Sequence, residues 1–522
     1  MKTLHKILPP TLLLGISALL SSLLGVLRDH LLAKTFGATS GGGIYNLDVY
    51  YAAFKIPDLL YFILVTGAFS AAFIPIFTRY KKEGELKKAW DFASNVLHIM
   101  LIVVSGVAFL AFIFAPYLAK LVASGFEPEA FALTVKLMRI MLLSPLIFTF
   151  SSVFIGLQDS FKTFFFRSLM PIFYNAGIIF SIVFFAQDFG VMGIAWGVIL
   201  GAILSLLIQL PALKLIGYQH AWIFNLKKSD IQEVFKLMGP RILTLGMSQM
   251  AQVGYNFIAS YLAVGSITIL YFANNIYSLP LSMIAVAFSI TSFATLSELA
   301  MKKHSHAFVL EIKRVMQQTL FLILPATVGL VLLRDEIIDT LLLAGKFTQA
   351  DAILTSQVLF FMVLSLFTHS LVLLLTRGFY AYHDTKTPFY ATFWGALVSI
   401  ILASIFVFVL NWGVVAIGIA MGISNIITFL VLYFLMQKKV DQSILERMNV
   451  FKMLFAAITM GLGVYFFKQV FIFPESTVIK MIYLLAMALG GALIYFGMAY
   501  LLNIPERRML FARSSKMKFE NK

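Results

Sequence analysis

Between positions 21 and 80, five of the charged residues lie inside or at the rim of a sequence that is otherwise apolar enough for lipid. They are Arg28, Asp29, Asp48, Lys55 and Asp58. Residues 45–77 have the composition of one long apolar helix, broken by Pro57. Lys55 lies about ten residues into this helix, which is ~15 Å at a rise of ~1.5 Å per residue, near the middle of a ~30 Å hydrocarbon core. Because a cation at that depth costs at least ~2.5–3.5 kcal/mol, we expect Lys55 to face a partner or a water-filled cavity.

Each of these charges has a structural interpretation beside the functional one. Arg28 lies about one membrane thickness after the start of the first predicted helix, so it either lines a cavity or anchors the helix at the interface beside Asp29. Lys55 either binds substrate or forms an ion pair with Asp58 or Asp48. Asp48 either belongs to the cavity or neutralises one of the two cations. If Arg28 and Lys55 share one cavity, they can attract a pyrophosphate, the arginine by bidentate contacts and the lysine as a point charge.

The composition indicates a polytopic membrane protein. The chain has 522 residues, of which 60% are hydrophobic, and a mean hydropathy of +0.92, whereas soluble chains are only ~45–50% apolar. The net charge of +16 lies in short loops, so membrane topology explains it better than nucleic-acid binding. Cysteine is absent, which excludes disulfides and thiolate metal sites. Lys2 and Lys6 precede an apolar stretch without a small-residue cleavage site, so we expect a retained first helix.

Apolar runs of about 20 residues predict about fourteen transmembrane helices. The predicted spans are 7–28, 45–77, 90–118, 131–157, 164–186, 190–214, 235–263, 267–297, 315–333, 352–381, 387–410, 413–436, 451–473 and 478–502. No phosphate-binding Gly-Lys-Ser/Thr loop and no nucleophile–base pair is found in the sequence, so we expect neither an enzyme nor a cofactor. His98, His369 and His383 lack metal-ligand spacing, and no metal site is expected.

Positive charge concentrates in alternate loops. The connection after the second helix has a net charge of +3, those after the eighth and twelfth have +2 each, and the tail from residue 506 has +4. Residues 334–351 carry −2 instead. Since basic loops face the cytoplasm, both termini are expected there and the number of helices should be even.

An internal repeat relates two parts of the chain at an offset of 225 positions. Residues 156–163 (GLQDSFKT) resemble residues 381–387 (AYHDTKT), and GIAWG at 193–197 matches GIAMG at 418–422. Because an even number of helices separates the copies, they have the same orientation, as two lobes related by a pseudo-two-fold axis along the membrane normal. We therefore expect a six-helix lobe at 1–218, a second at 219–440, and two further helices with a basic tail at 441–522.

The sequence resembles the lipid II flippase family (MurJ, also called MviN) of the multidrug/oligosaccharidyl-lipid/polysaccharide exporter superfamily. The resemblance rests on LGVLRDHLLAKTFGA at 24–38, on Asp48 with FKIPDLL at 54–60, on GAFSAAFIP at 67–75, and on YA and DTKTP at 380–381 and 384–388. It implies export of an undecaprenyl-pyrophosphate-linked disaccharide pentapeptide across the bacterial inner membrane by alternating access. It also implies a cationic central cavity that holds the pyrophosphate.

Carried over by position, the resemblance implies a substrate-binding site of four residues: Arg28, Asp29, Asp48 and Lys55. The sequence departs from the family pattern elsewhere. Two cavity arginines of the family correspond to Ser22 and Asn275, and an acid near the family's sodium site corresponds to Asn256. The expected partners are a lipid-linked anionic substrate and membrane lipids, with no nucleic acid, and the chain is expected to act as a monomer.

Three functions are compatible with the sequence. The first is a lipid II flippase. The second is an exporter of another lipid-linked oligosaccharide or polysaccharide precursor, which the missing arginines favour. The third is a non-transporting, degenerate paralogue, which predicts an apolar lobe interface without a cavity around Lys55. Small-drug antiport is less favoured, because its usual acidic cavity is replaced here by a cationic one.

Overall fold

The computed structural model describes residues 10–39, 46–67, 69–302, 305–471 and 473–510. Within these ranges every regular element is a helix and no β-strand occurs, which confirms the predicted all-α fold class. The predicted start of the first helix at Ile7 and the basic tail beyond Leu510 lie outside the described residues. The chain divides into two compact units. The predicted lobe limits at 218/219 and 440/441 stay predictions.

The first unit comprises the described parts of Met1–Phe272, with Leu341–Asp351 and Val407–Val414. Its helices are α1 (Pro10–Phe36), α2 (Leu47–Leu60), a π-helical segment (Tyr61–Gly67), α3 (Phe69–Lys82), α4 (Leu86–Ile113), α5 (Ala115–Ala123), α6 (Pro128–Met141), α7 (Leu143–Ser160), α8 (Phe164–Phe184), α9 (Ala186–Phe189), α10 (Val191–Leu207), α11 (Leu210–Ile216) and α12 (Ser229–Ser260). It also includes the first half of α13 (Ser266–Pro280).

The second unit comprises Ala273–Thr340, Ala352–Phe406 and the described part of Val415–Lys522. Its elements after α13 are a π-helical segment (Leu281–Val286), α14 (Ala287–Met301), α15 (Ser305–Leu341), α16 (Gln349–Val363), α17 (Leu366–Ala381), α18 (Lys386–Phe408), α19 (Val415–Val440), α20 (Arg447–Val470), α21 (Thr477–Leu501) and a 3-10 turn (Pro505–Leu510).

Eleven of the described helices or helix pairs are long and apolar enough to cross a membrane, or twelve if α16 and α17, bent by 46°, form one span. All fourteen predicted segments fall on helix. Two of them, the predicted spans 45–77 and 235–263, are not among the eleven or twelve. The first of these segments contains Asp48, Lys55 and Asp58, and α12 contains Gln249, Gln252 and Asn256. The count of fourteen is therefore not confirmed.

Several helices present an exposed apolar face. On α21, Leu485, Leu489 and Leu493 are 61%, 58% and 75% exposed, and their spacing of four residues puts them on one side of the helix. Water would disfavour such a face, whereas acyl chains would solvate it, as expected for a polytopic membrane protein.

The first helix ends later than its charges suggest. The sequence places its end at Arg28, but α1 continues to Phe36. The helix ends before Gly37. The φ of this glycine is 68°, a value that a non-glycine residue adopts only with strain. Arg28 consequently lies within the helix that can cross the membrane, and not at its end.

A short stretch from later in the chain holds the end of α1 within the first unit. The His30 Nδ1 lies 2.8 Å from the carbonyl oxygen of Leu341, and the Lys346 N–H donates to the carbonyl of Lys34 at 3.0 Å. The fully buried Asp351 accepts from the Thr39 N–H at 3.0 Å and from the Thr39 hydroxyl. These contacts fix the C-terminal half of α1, which carries Arg28.

The two repeat turns use their acids differently. Asp159 belongs to the last turn of α7 and forms an ion pair with Arg167. Asp384 precedes α18 and accepts a hydrogen bond from the Thr387 N–H at 3.0 Å, while Lys439 lies 2.9 Å from its carboxylate. Each acid thus binds a cation of its own unit.

Candidate substrate-binding site

A cavity of about 300 Å³ lies inside the first unit and is lined mainly by residues of α1, α2, α7, α8 and α13. Its charged lining residues are Arg28 and Asp58. Five tyrosines also line it, namely Tyr50, Tyr51, Tyr61, Tyr174 and Tyr271. The Arg28 guanidinium and five phenolic hydroxyls give the cavity many hydrogen-bond donors. Asp58 is the single acid among the lining residues.

Arg28 is held on two sides. Its Nε and Nη2 donate to Oδ1 of Asp29 at 3.1 and 2.9 Å, and its Nη1 donates to Oδ1 of Asn175 at 3.1 Å. The Asn175 side chain is oriented in turn, because its Nδ2 donates to the carbonyl of Pro171 at 3.0 Å. The predicted pair of Arg28 and Asp29 is therefore present, and α8 supplies a third member that orients the guanidinium toward the cavity.

Tyr51 has an unsatisfied hydroxyl. Its ring stacks on that of Tyr271, with centroids 4.0 Å apart and planes inclined by 19°. The Tyr51 Oη is buried and has no hydrogen-bond partner among the described residues. Leaving a buried polar group unpaired costs about 1–3 kcal/mol. A ligand in the cavity that accepted a hydrogen bond from this hydroxyl would recover that energy.

Lys55 and Asp58 lie one turn apart on α2. Asp58 lines the cavity, while Lys55 is partly buried and is not among the lining residues. The two side chains form no ion pair within the described part of the chain. Lys55 therefore does not form the ion pair with Asp58 or Asp48 that its structural interpretation predicted. The Asp58 carboxylate is nevertheless close enough to interact electrostatically with the Lys55 ammonium.

Asp48 has a different position from the other three predicted site residues. Its carboxylate is 3% exposed and accepts hydrogen bonds from the Gly265 N–H at 2.7 Å, the Thr268 N–H at 2.8 Å and the Thr268 hydroxyl at 2.6 Å. It thereby caps the N-terminus of α13, where unpaired N–H groups and the helix dipole favour a negative charge. Asp48 does not line the cavity.

The sequence analysis did not identify Asn175 or the tyrosines. Tyr50 and Tyr51 precede Phe54 and Asp58 on α2, so a helical spacing of three or four residues connects them to a charged position and could have indicated them. Asn175 and Tyr271 come from distant parts of the chain, and no local pattern relates them to Arg28.

The departures from the family pattern are polar residues bonded within their own helices. Ser22 donates to the carbonyl of Ala18 at 2.9 Å, and the Asn256 Nδ2 donates to the carbonyl of Gln252 at 2.8 Å. The Asn275 carbonyl accepts from the Ser278 hydroxyl at 2.8 Å. None of the three residues lines the cavity.

Two relatives are named probable lipid II flippase MurJ. The protein of Thermotoga maritima is 30% identical over 505 residues, which cover 97% of this chain and 98% of the relative. That of Buchnera aphidicola subsp. Acyrthosiphon pisum is 31% identical over 444 residues, or 84% of each chain.

Two solved structures also match this chain. A lipid II flippase MurJ in an inward closed conformation matches with a TM-score of 0.79 and 26% identity, and the match covers 96% of this chain and all of the other. An inward-facing multidrug resistance MATE family transporter of the MOP superfamily shares the fold, with a TM-score of 0.64 at 15% identity over 81% of this chain and 94% of its own. The sequence model of the lipid II flippase MurJ family matches residues 32–489, so this chain belongs to that family.

Proposed function

We propose that this chain is a flippase that moves lipid II, the undecaprenyl-pyrophosphate-linked peptidoglycan precursor, from the inner to the outer leaflet by alternating access. One observation carries the proposal. In the cavity of the first unit, the guanidinium of Arg28 offers charged hydrogen-bond donors to an anionic group, and Tyr51, whose buried hydroxyl has no partner, lines the same cavity. Phosphate oxygens are acceptors only, and they bind most strongly to charged donors such as arginine.

The size of the cavity limits which part of the substrate enters it. A volume of about 300 Å³ lies at the lower end of the ~300–1,000 Å³ range of ligand pockets. It suits a pyrophosphate or one sugar, and not a whole disaccharide pentapeptide. Arg28 binds the pyrophosphate, Asp29 and Asn175 orient Arg28, and Lys55 supplies a second cation close to the path of the substrate. Asp48 contributes by holding α13 in place.

The chain is proposed to lie in the bacterial inner membrane with both termini in the cytoplasm. The charge of the connections supports this orientation, since residues 79–88, which join α3 to α4, have a net charge of +3 and residues 334–351 carry −2. It acts as a monomer and a transporter, not as an enzyme, and binds no nucleic acid. The membrane potential, an ion gradient or the downhill flow of substrate supplies the energy.

Two substitutions test the proposal in cells depleted of their own flippase. Lys55→Ala should abolish rescue of growth, because it removes the cation from mid-depth. Tyr51→Phe should reduce rescue without lowering thermal stability, since the hydroxyl that it deletes has no protein partner. Lys87→Ala, in the first turn of α4, and Tyr261→Phe are the matched controls, both at exposed positions, and should rescue fully.

Full rescue by well-expressed Lys55→Ala and Tyr51→Phe variants would overturn the proposal. The second candidate function is export of another lipid-linked oligosaccharide, which Ser22 and Asn275 favour because the family has arginines at both positions. Deletion of the gene decides between the two cargoes. A lipid-linked sugar other than lipid II would then accumulate while peptidoglycan synthesis continued normally.

A further inference from the structure

A second cavity of the first unit differs from the substrate cavity in both shape and lining. It is a groove of about 1010 Å³ between α4, α6, the start of α7 and α10. Its walls are apolar over most of their length, with Phe109 and Phe112 on one side and Leu146 and Trp196 on the other. Two cations, Lys136 and Arg139, complete the lining.

The groove opens to the outside of the unit. Phe109 is 64% exposed, Phe112 45% and Trp196 50%. In a membrane these side chains face lipid, and an open apolar groove there fills with acyl chains. A groove of this kind contacts a single acyl chain from several sides, whereas a smooth lipid-facing surface contacts it from one.

The two cations have no acidic partner within the described part of the chain. Arg139 is nevertheless fixed, because its Nε donates to the Phe112 carbonyl at 3.2 Å and its guanidinium lies 5.0 Å from the centroid of the Phe112 ring. This contact uses one of the five N–H groups and leaves the terminal amino groups of the guanidinium for another acceptor. Lys136 is exposed one helical turn earlier on α6.

The depth of these cations matches a lipid headgroup. From Arg139 to Ser160, the end of α7, the chain advances 21 residues, which is ~32 Å at ~1.5 Å per residue and about one hydrocarbon thickness. With the N-terminus in the cytoplasm, as proposed above, the alternation of spans puts the end of α7 at the cytoplasmic interface, and Arg139 reaches the opposite interface. Ser105 and Leu146 line the groove deeper in the membrane.

We infer that this groove binds one diacyl phospholipid with an anionic headgroup in the outer leaflet. The phosphate binds Arg139 and Lys136, and one acyl chain follows the wall that Phe109, Leu146 and Trp196 form. Basic pockets between transmembrane helices are a recurrent way of holding lipid phosphates. A free phosphate would engage the cations but leave the apolar wall unoccupied, so the lipid fits both halves of the groove.

The full-length protein, stripped of lipid in detergent, is titrated with phosphatidylglycerol or phosphatidylcholine, and bound lipids are counted by native mass spectrometry. The unaltered protein should retain one phosphatidylglycerol at least tenfold more tightly than phosphatidylcholine. The double variant Lys136→Gln/Arg139→Gln should lose that preference. Lys227→Gln/Lys236→Gln removes the same charge from two exposed positions near the other interface and should keep it.

A third variant tests the acyl-chain half of the groove. A Cβ added at Gly106 would meet nothing within 4 Å, so the side chain of Gly106→Leu starts in open space and should fill the groove. It should weaken retention of both lipids. Equal retention of the two lipids by the unaltered protein, an unchanged preference in the double glutamine variant, or undiminished binding to Gly106→Leu would each overturn the inference.

Discussion

The carboxylate of Asp48 accepts hydrogen bonds from both the backbone N–H and the hydroxyl of Thr268, at 2.8 and 2.6 Å, across 220 positions of sequence. A third bond comes from the Gly265 N–H. The acid therefore joins the start of α2 to the start of α13. Its burial and its three donors are those of a helix cap.

Replacement of Asp48 should lower the stability of the protein, and any effect on transport should follow from that loss. Asp48→Ala leaves two buried N–H groups unpaired, so we expect the free energy of unfolding to fall by about 2–6 kcal/mol, at roughly 1–3 kcal/mol per unpaired group. Thermal unfolding in detergent measures this loss. Asp188→Ala, at an exposed position of α9, is the control. An unchanged unfolding temperature together with lost rescue would assign Asp48 a direct role in transport.

Asn175 should act through Arg28. Asn175→Ala removes the acceptor that holds the Nη1 of Arg28, and a hydrogen bond to a charged group is worth ~1.5–3 kcal/mol, so we expect roughly ten- to hundredfold slower flipping. Asn175→Asp keeps an acceptor oxygen in the same place and should restore most of the rate. Flipping is followed by the accessibility of lipid II at the outer face. If the alanine and aspartate variants are equally impaired, Asn175 does not work by orienting the arginine.

Gly265 should tolerate no side chain. Its φ is 96°, and a Cβ there would lie 2.7 Å from the carbonyl carbon of Ala38. Gly84 has a φ of 78° with open space around it, so Gly84→Ala has the conformational cost of a left-handed residue alone, about 1–2 kcal/mol. Gly265→Ala adds a clash with backbone atoms and should lower the unfolding temperature clearly more than Gly84→Ala does. Similar losses in the two variants would contradict the close approach of the two backbones.

The turn at Asp384 should make the protein sensitive to acid. Burial by itself raises the pKa of this carboxyl, but its hydrogen bonds with Lys439 and Thr387 outweigh burial and hold the pKa below its ordinary value. The ionised form is therefore stabilised on folding. Its contribution is complete above the ordinary value and is lost as the pH falls through the lower pKa of the folded protein.

Comparison with Asp384→Asn isolates this contribution. The unaltered protein should unfold at a higher temperature than the variant at pH 7, and the difference should shrink as the pH falls below 4. A difference that stays constant between pH 7 and pH 3 would show that the carboxylate is not responsible. No large effect is expected, because the pair is partly exposed to solvent.

Local patterns predicted most of the helices and part of the site. The adjacent charges of Arg28 and Asp29 already suggested a pair, and Lys55 was placed on the helix that carries Asp58. The bonds of Asp48 to α13 and of Asp351 to the end of α1 could not be predicted in the same way. Helical periodicity reports which face of one segment is apolar, but it holds no information about which distant N–H group a buried carboxylate meets.

The π-helical segment Tyr61–Gly67 has a consequence for mapping the helix that carries Lys55. An α-helix turns by about 100° per residue. One residue added to a turn therefore rotates all the following side chains about the helix axis by about that angle. A helical wheel drawn without interruption from Leu47 to Lys82 therefore assigns the residues after Gly67 to the wrong side. Cysteine-labelling or crosslinking positions chosen from such a wheel need to be recounted from that segment onward.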